Sequence, residues 1–254
     1  MPTPRLNPFR DCPETLTLVR HGESVGNVAD AEARERKADR LDLDIRDADV
    51  ELSDTGRRQA DALHDRLGGT PDADRPTLVV SSPYRRAADT ARRAVDGLGV
   101  DLVLDERLRE RDLGLFDGLT GRGIRAKYAD EAERRHKVGK FYYQPPSGES
   151  WADVVLRVRS LLADLGHGFG HARLWLFTHQ AVIMSFRYVL EGQDEQRLLE
   201  VDRTSRLGNA SLTTYVRRDG RLELDRFGDT GIVDAREAEV TREPPVSEAA
   251  GSHD

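Results

Sequence analysis

Short apolar runs alternate with helix-period stretches along most of this chain. Leu16 to Val19 is an apolar run of strand length. Residues 29–50 follow as a long charged connector without a strong period. Ser53 stands where a cap belongs, before a helix from Asp54 to Leu67. Within it Ala60, Leu63 and Leu67 recur at helical spacing, and Gly68-Gly69 closes the end. Thr77–Val80 predicts a strand, Arg85–Val95 a helix and Leu102–Leu104 a third strand. The stretch 106–150 breaks the alternation. It is polar, basic in places and punctuated by glycine, and it reads as an insertion that covers a site. Ser150 or Ser147 caps a helix running to Leu165, with Val154, Val155, Val158, Leu161 and Leu162 on its inner face. Leu174–Phe177 predicts a buried strand, and Ala181–Leu190 a helix that ends at Gly192. Leu212–Val216 and Leu222–Phe227 flank Asp219-Gly220, a hairpin signal.

This alternation predicts an α/β fold with three layers, α/β/α. A mostly parallel sheet carries helices on both faces, with an inserted helical lid at 106–150. One domain covers residues 15–233, after an N-terminal extension at 1–14. The tail at 234–254 is acidic, contains proline and lacks large apolar residues, so it is expected to be disordered.

Composition narrows the function classes. A chain of 254 residues is long enough for one large α/β core. A net charge of −7 argues against binding nucleic acid by bulk electrostatics. No apolar run approaches the roughly 20 residues that span a bilayer, so no membrane partner is expected. Arg5 and Arg10 are not followed by an apolar core of signal-peptide length, which predicts a cytoplasmic protein. The single cysteine, Cys12, cannot form an internal disulfide, in keeping with a reducing compartment. Arginine outnumbers lysine along the whole chain, so that bias marks no site by itself. Oligomeric state is left open.

Chemistry concentrates at the ends of the predicted strands, where open α/β sheets place ligands. The first strand runs into Arg20-His21-Gly22, with Ser24 and Asn27 a turn further on. A neutral imidazole beside a guanidinium suits attack on phosphorus: the nitrogen is the nucleophile and the arginine holds the phosphoryl oxygens. The second feature is Ser81-Ser82-Pro83-Tyr84-Arg85-Arg86-Ala87, the third Leu108-Arg109-Glu110-Arg111-Asp112, the fourth Thr178-His179-Gln180. No His/Asp cluster has metal-ligand spacing, so neither metal nor cofactor is expected.

These four features, in this order, resemble the histidine phosphatase superfamily, which includes phosphoglycerate mutases and many phosphatases. The resemblance implies His21 as a nucleophile that carries a transient phosphohistidine. Arg20, Arg86 and His179 would grip the phosphoryl oxygens, helped by Asn27. Glu110 would protonate the leaving oxygen and then activate water. The family pattern favours Arg86 over its neighbour Arg85, and Glu110 over Glu106 and Asp112. The implied partner is a small-molecule phosphate ester.

Lys140 to Ser150, together with His179-Gln180-Ala181-Val182, resembles the phosphatase domain of fructose-2,6-bisphosphatase. That resemblance implies substrate contacts from Arg135, Lys140 and Gln180, and a sugar bisphosphate substrate. Arg134, Arg135, Lys137 and Lys140 would hold a second anionic group, or else form a solvated basic face. Three positions depart from the pattern: Gly121 and Trp151 replace tyrosines, and Met184 replaces an arginine. Arg187, one turn beyond, is a candidate to compensate for the last. The alternatives are a phosphoglycerate mutase, or a non-catalytic phosphate-binding protein on the same scaffold.

Overall fold

A computed structural model describes residues 11–205, 207–235 and 239–242. Its strands are β1 (Thr15–Arg20), β2 (Leu78–Ser81), β3 (Leu102–Leu104), β4 (Arg173–Thr178), β5 (Leu212–Arg218) and β6 (Arg221–Asp229). Its α-helices are α1 (Val25–Glu35), α2 (Asp54–Gly68), α3 (Arg85–Val95), α4 (Gly121–Lys127), α5 (Ala129–Val138), α6 (Trp151–Leu165), α7 (Gln180–Glu191), α8 (Glu195–Thr204) and α9 (Gly231–Ala235). The strand order is β3-β2-β4-β1-β5-β6. The first four strands pair in parallel, and β5 and β6 run antiparallel at one edge.

Side-chain alternation divides the apolar residues between two cores, one on each face of the sheet. Leu16 and Leu18 of β1, Val80 of β2, and Leu174 and Leu176 of β4 pack with α6, α7 and α8. Val19, Val79 and Phe177 point the other way and pack with α2, α3 and Val233 of α9. The expected three layers follow from this division. On α6 the five residues of the expected inner face are all buried, and each such aliphatic side chain contributes about 1.5–3 kcal/mol. Ser150, not Ser147, is its cap: the hydroxyl accepts from the Asp153 amide, and the Asp153 carboxylate reaches back to the Ser150 amide. The β5–β6 turn takes φ of 48° at Asp219 and 73° at Gly220, as a tight hairpin of this chirality requires.

Residues 29–50 are not wholly a connector, because α1 occupies 25–35. A capping box at its start, in which Ser24 and Asn27 bond reciprocally, nucleates it. It buries only Ala29 and Ala33, too little apolar surface to leave a visible period. The insertion at 106–150 holds α4 and α5 and is tied to the turn after α1. Thr120 Oγ1 donates to the Ala38 carbonyl at 2.7 Å, and Arg40 bridges to Leu119. The tail expected from residue 234 falls only partly within the described residues. Asp234 lies in α9, and residues 239–242 are bonded to the body through Gly208, Asn209 and Gln59. Residues 1–10, 206, 236–238 and 243–254 lie outside the described residues. Among the described residues no helix is long and apolar enough to cross a membrane.

Candidate active site

The parallel pairing of β1, β2 and β4 brings their C-terminal ends to one edge of the sheet. Arg20 is opposite Thr178, and Ser81 is opposite Phe177. The residues just beyond these ends therefore converge. His21 and His179 have ring centroids 5.0 Å apart and are 3% and 0% exposed. Arg20 and Arg86 are buried beside them.

The His21 backbone is fixed on both sides. Its amide donates to the Thr178 carbonyl at 3.0 Å, and its carbonyl accepts from the Ala210 amide at 3.1 Å. Its Nδ1 lies 2.7 Å from the Gly22 carbonyl. A carbonyl can only accept, so Nδ1 carries the proton and Nε2 carries the lone pair. Gly22 packs against Gly56 of α2 so closely that a Cβ on Gly22 would stand 2.6 Å from the Gly56 carbonyl oxygen. A Cβ on Gly56 would meet the Glu23 oxygen at 1.9 Å. Two glycines thus seat the His21 loop on the start of α2. Burial, with Arg86 and Arg20 beside it, holds His21 well below the usual imidazole range. Burial likewise holds His179 down, reinforced by Arg86 and His21. Both rings are therefore neutral at neutral pH.

His179 Nε2 lies 2.9 Å from Ser82 Oγ, while its Nδ1 is buried without a hydrogen-bond partner. Arg86 is oriented by Asp47. Its Nη1 reaches the Asp47 carbonyl at 2.6 Å and Oδ1 at 2.9 Å, and its Nη2 reaches Oδ2 at 3.1 Å. This leaves Nε–H and one Nη2–H for an anion. Arg85 instead pairs at the surface with Glu51 and Asp89.

Asn27 spends its side-chain oxygen on the protein. Oδ1 accepts from the Ser24 amide at 3.0 Å and from Asn209 Nδ2 at 3.2 Å, so only its amide NH2 group can donate to an anion. Asn209, buried to 1% exposure, also donates to the His21 carbonyl at 3.2 Å and accepts from Thr241 Oγ1 at 3.0 Å. No local pattern in the sequence ties Asn209 to His21.

Glu110 sits at the N-terminus of α7. Its Oε1 accepts from the Arg111 amide at 2.7 Å, and its Oε2 is 3.5 Å from the Ala181 amide. The loop that carries it is pinned from behind. Thr178 Oγ1 donates to Leu108 O at 2.8 Å. Arg157 of α6 donates to Arg107 O at 2.6 Å and Glu110 O at 3.3 Å, and pairs with Glu149 at 3.1 Å. Arg111, to which the sequence pattern gives no role, lies over the Trp151 ring at 5.3 Å. Its surroundings include the charges of Glu110, Arg135, Asp202 and Glu149. Lys140 and Gln180 meet at Asp202 of α8. Nζ is 3.5 Å from Oδ2, and the Gln180 amide nitrogen is 3.3 Å from Oδ1. Arg135, Lys140 and Gln180 therefore belong to one neighbourhood with Glu110.

Met184 is fully buried in the core. Arg187 does not compensate for it. The guanidinium is held by Glu191 at 2.7 Å and stacks on Phe227 of β6 at 4.0 Å, which commits it to the end of α7 and to β6.

Residues 16–230 match the histidine phosphatase superfamily (branch 1), and the chain belongs to that superfamily. A glucosyl-3-phosphoglycerate phosphatase of Mycobacterium tuberculosis is 35% identical over 157 residues, or 59% of this chain and 59% of that protein's length. One from Mycolicibacterium vanbaalenii is 31% identical over 230 residues, covering 85% of this chain and 88% of that protein. A solved structure of mycobacterial glucosyl-3-phosphoglycerate phosphatase with inorganic phosphate has a TM-score of 0.66 at 28% identity, over 87% of this chain and 99% of that one. The superfamily expectation thus holds. The narrower expectation, fructose-2,6-bisphosphatase, is not the name these relatives carry.

Proposed function

We propose that this protein is a phosphomonoesterase that works through a phosphohistidine on a sugar-containing metabolite in the cytoplasm. The observation that carries the reading is the His21 Nδ1–H···O bond to Gly22, which leaves Nε2 as an unprotonated nucleophile in a cationic pocket. In the first half-reaction Nε2 bonds to phosphorus, the bond to the ester oxygen breaks, and Glu110 gives its proton to that oxygen. In the second, Glu110 takes a proton from water, the water oxygen bonds to phosphorus, and the P–Nε2 bond breaks. Arg20, Arg86, His179 and the Asn27 amide stabilise the phosphoryl oxygens through both steps. Arg135, Lys140 and Gln180, joined by Arg111, hold the rest of the ester.

The names of the relatives favour a glycosylated phosphoglycerate over fructose 2,6-bisphosphate. The test is phosphate release from a panel of glucosyl-3-phosphoglycerate, 3-phosphoglycerate, fructose 6-phosphate, fructose 2,6-bisphosphate and phosphotyrosine. The expected result is the highest kcat/KM for glucosyl-3-phosphoglycerate. A preference for fructose 2,6-bisphosphate would restore the narrower resemblance, and a preference for phosphotyrosine would remove the sugar from the reading.

The low affinity of His21 for protons sets the pH dependence. Protonation at Nε2 removes the nucleophile, and the two guanidinium groups resist it, so the acid limb that His21 imposes on kcat/KM lies below about pH 6.5, where an ordinary imidazole titrates. Arg86→Gln removes one of the charges that oppose the imidazolium, so this limb moves to higher pH. The ionisation of the ester is common to both enzymes and cancels in the comparison. A limb that stays in place would count against His21 as the titrating base.

A further inference from the structure

The sequence resemblance makes Lys140 and Gln180 substrate contacts, and it sets Lys140, with Arg134, Arg135 and Lys137, against a second anionic group or on a solvated basic face. Lys140 and Gln180 both touch one carboxylate, Asp202, at 3.5 Å and 3.3 Å. The contact is sheltered, with the Lys140 and Asp202 side chains only 16% and 11% exposed. The charge of Asp202 is also felt by the Arg111 guanidinium, which lies over Trp151. The far end of the pocket is therefore a mixed site: ammonium and amide donors alternate with a carboxylate acceptor.

A sugar hydroxyl both donates and accepts. It can give its proton to Asp202 while taking one from Lys140 or Gln180, and neighbouring hydroxyls on a ring can repeat the pattern. A phosphate dianion has no proton to give. It meets the carboxylate as a like charge and must compete with it for Lys140. We propose that Asp202 is the specificity-determining residue of this subsite: it selects a neutral polyhydroxylated group, such as a hexose ring, and excludes a second phosphate. The proposal rests on the phosphomonoesterase reading above and specifies what stands beyond the reacting phosphate.

The experiment compares kcat/KM for fructose 2,6-bisphosphate with that for fructose 6-phosphate, as a ratio within each preparation. Wild type, Asp202→Asn, Asp202→Glu and Lys140→Met are measured. In Asp202→Asn the repulsion is gone and the carboxylate no longer competes for Lys140, so the bisphosphate-to-monophosphate ratio rises about tenfold or more. In Lys140→Met the carboxylate stands without its ammonium partner, so the ratio falls. Asp202→Glu keeps the charge and keeps the ratio low. A ratio in Asp202→Asn within about twofold of wild type, or both charge-removing variants moving it the same way, overturns the proposal. Each ratio is internal to one protein, so partial misfolding does not imitate the effect. Should wild type release no phosphate from either fructose ester, the phosphatase reading is judged by glucosyl-3-phosphoglycerate and fails by itself only if that ester too releases none. Asp202 is then judged by the same ratio of dissociation constants, measured by calorimetry with the two esters.

Discussion

His21→Ala lowers phosphate release from every ester by on the order of 10⁴-fold or more, the largest single effect expected in this molecule. No neighbouring group can take over. The His179 ring is 5.0 Å away by centroid, and its Nε2 is engaged with Ser82. The substitution leaves the local backbone in place, because the amide bond to Thr178 O and the carbonyl bond from Ala210 N do not involve the side chain. Arg20 and Arg86 remain in the pocket, so inorganic phosphate still binds, and calorimetry with phosphate serves as the check that the site has formed. The direct readout is the intermediate. Wild type quenched during turnover with a radiolabelled ester carries an acid-labile, alkali-stable phosphoryl group, and His21→Ala carries none. Residual turnover within about tenfold of wild type, with phosphate still bound, would mean that water or another residue attacks phosphorus directly.

Features written in adjacent residues were legible in the sequence; features made by distant residues were not. Helix α2 was readable because Ser53 caps it and Ala60, Leu63 and Leu67 make a buried stripe. Helix α6 and the β5–β6 hairpin were readable for the same kind of reason. Helix α1 was not, because its buried face is two alanines and its capping box closes with Asn27 where Glu or Gln is usual. Helix α8 was missed likewise: it buries Leu198 and Val201 alone, behind the cap at Asp194. In the site, Arg20 ends β1, His21 and His179 directly follow β1 and β4, and Arg86 stands in the first turn of α3, so local pattern located them, with the family pattern choosing Arg86 over Arg85. Their supports come from far along the chain. Asp47 is 39 residues from Arg86, and Asn209 is 188 from His21. Asp202 is 22 residues from Gln180 and 62 from Lys140. No periodicity announces such pairs; the parallel sheet and the α7–α8 turn create them. Asp202 of α8 thus sets a carboxylate against Lys140 of the basic lid, a pairing no local pattern shows.

Glu110→Gln separates leaving-group chemistry from hydrolysis of the phosphoenzyme. The glutamine is an isostere whose oxygen can keep the 2.7 Å bond from the Arg111 amide, so the loop held by Arg157 and Glu149 keeps its shape. What is lost is the proton. An alkoxide from a sugar or glycerate is a poor leaving group without it, so kcat/KM for such esters falls by about 10²–10⁴-fold. The p-nitrophenolate ion leaves readily without help, so kcat/KM for p-nitrophenyl phosphate falls far less. This parameter reports events up to formation of the phosphohistidine, where only the acid role of Glu110 acts. The base role appears in the next step. With p-nitrophenyl phosphate the variant phosphorylates quickly and hydrolyses slowly, giving a burst of p-nitrophenol equal to the enzyme present, followed by a slow steady state. Rapid-mixing absorbance measures both phases. Equal losses in kcat/KM for the two classes of ester, with no burst, would remove Glu110 from both roles and point to another of the acidic residues beside Arg111 as the proton donor.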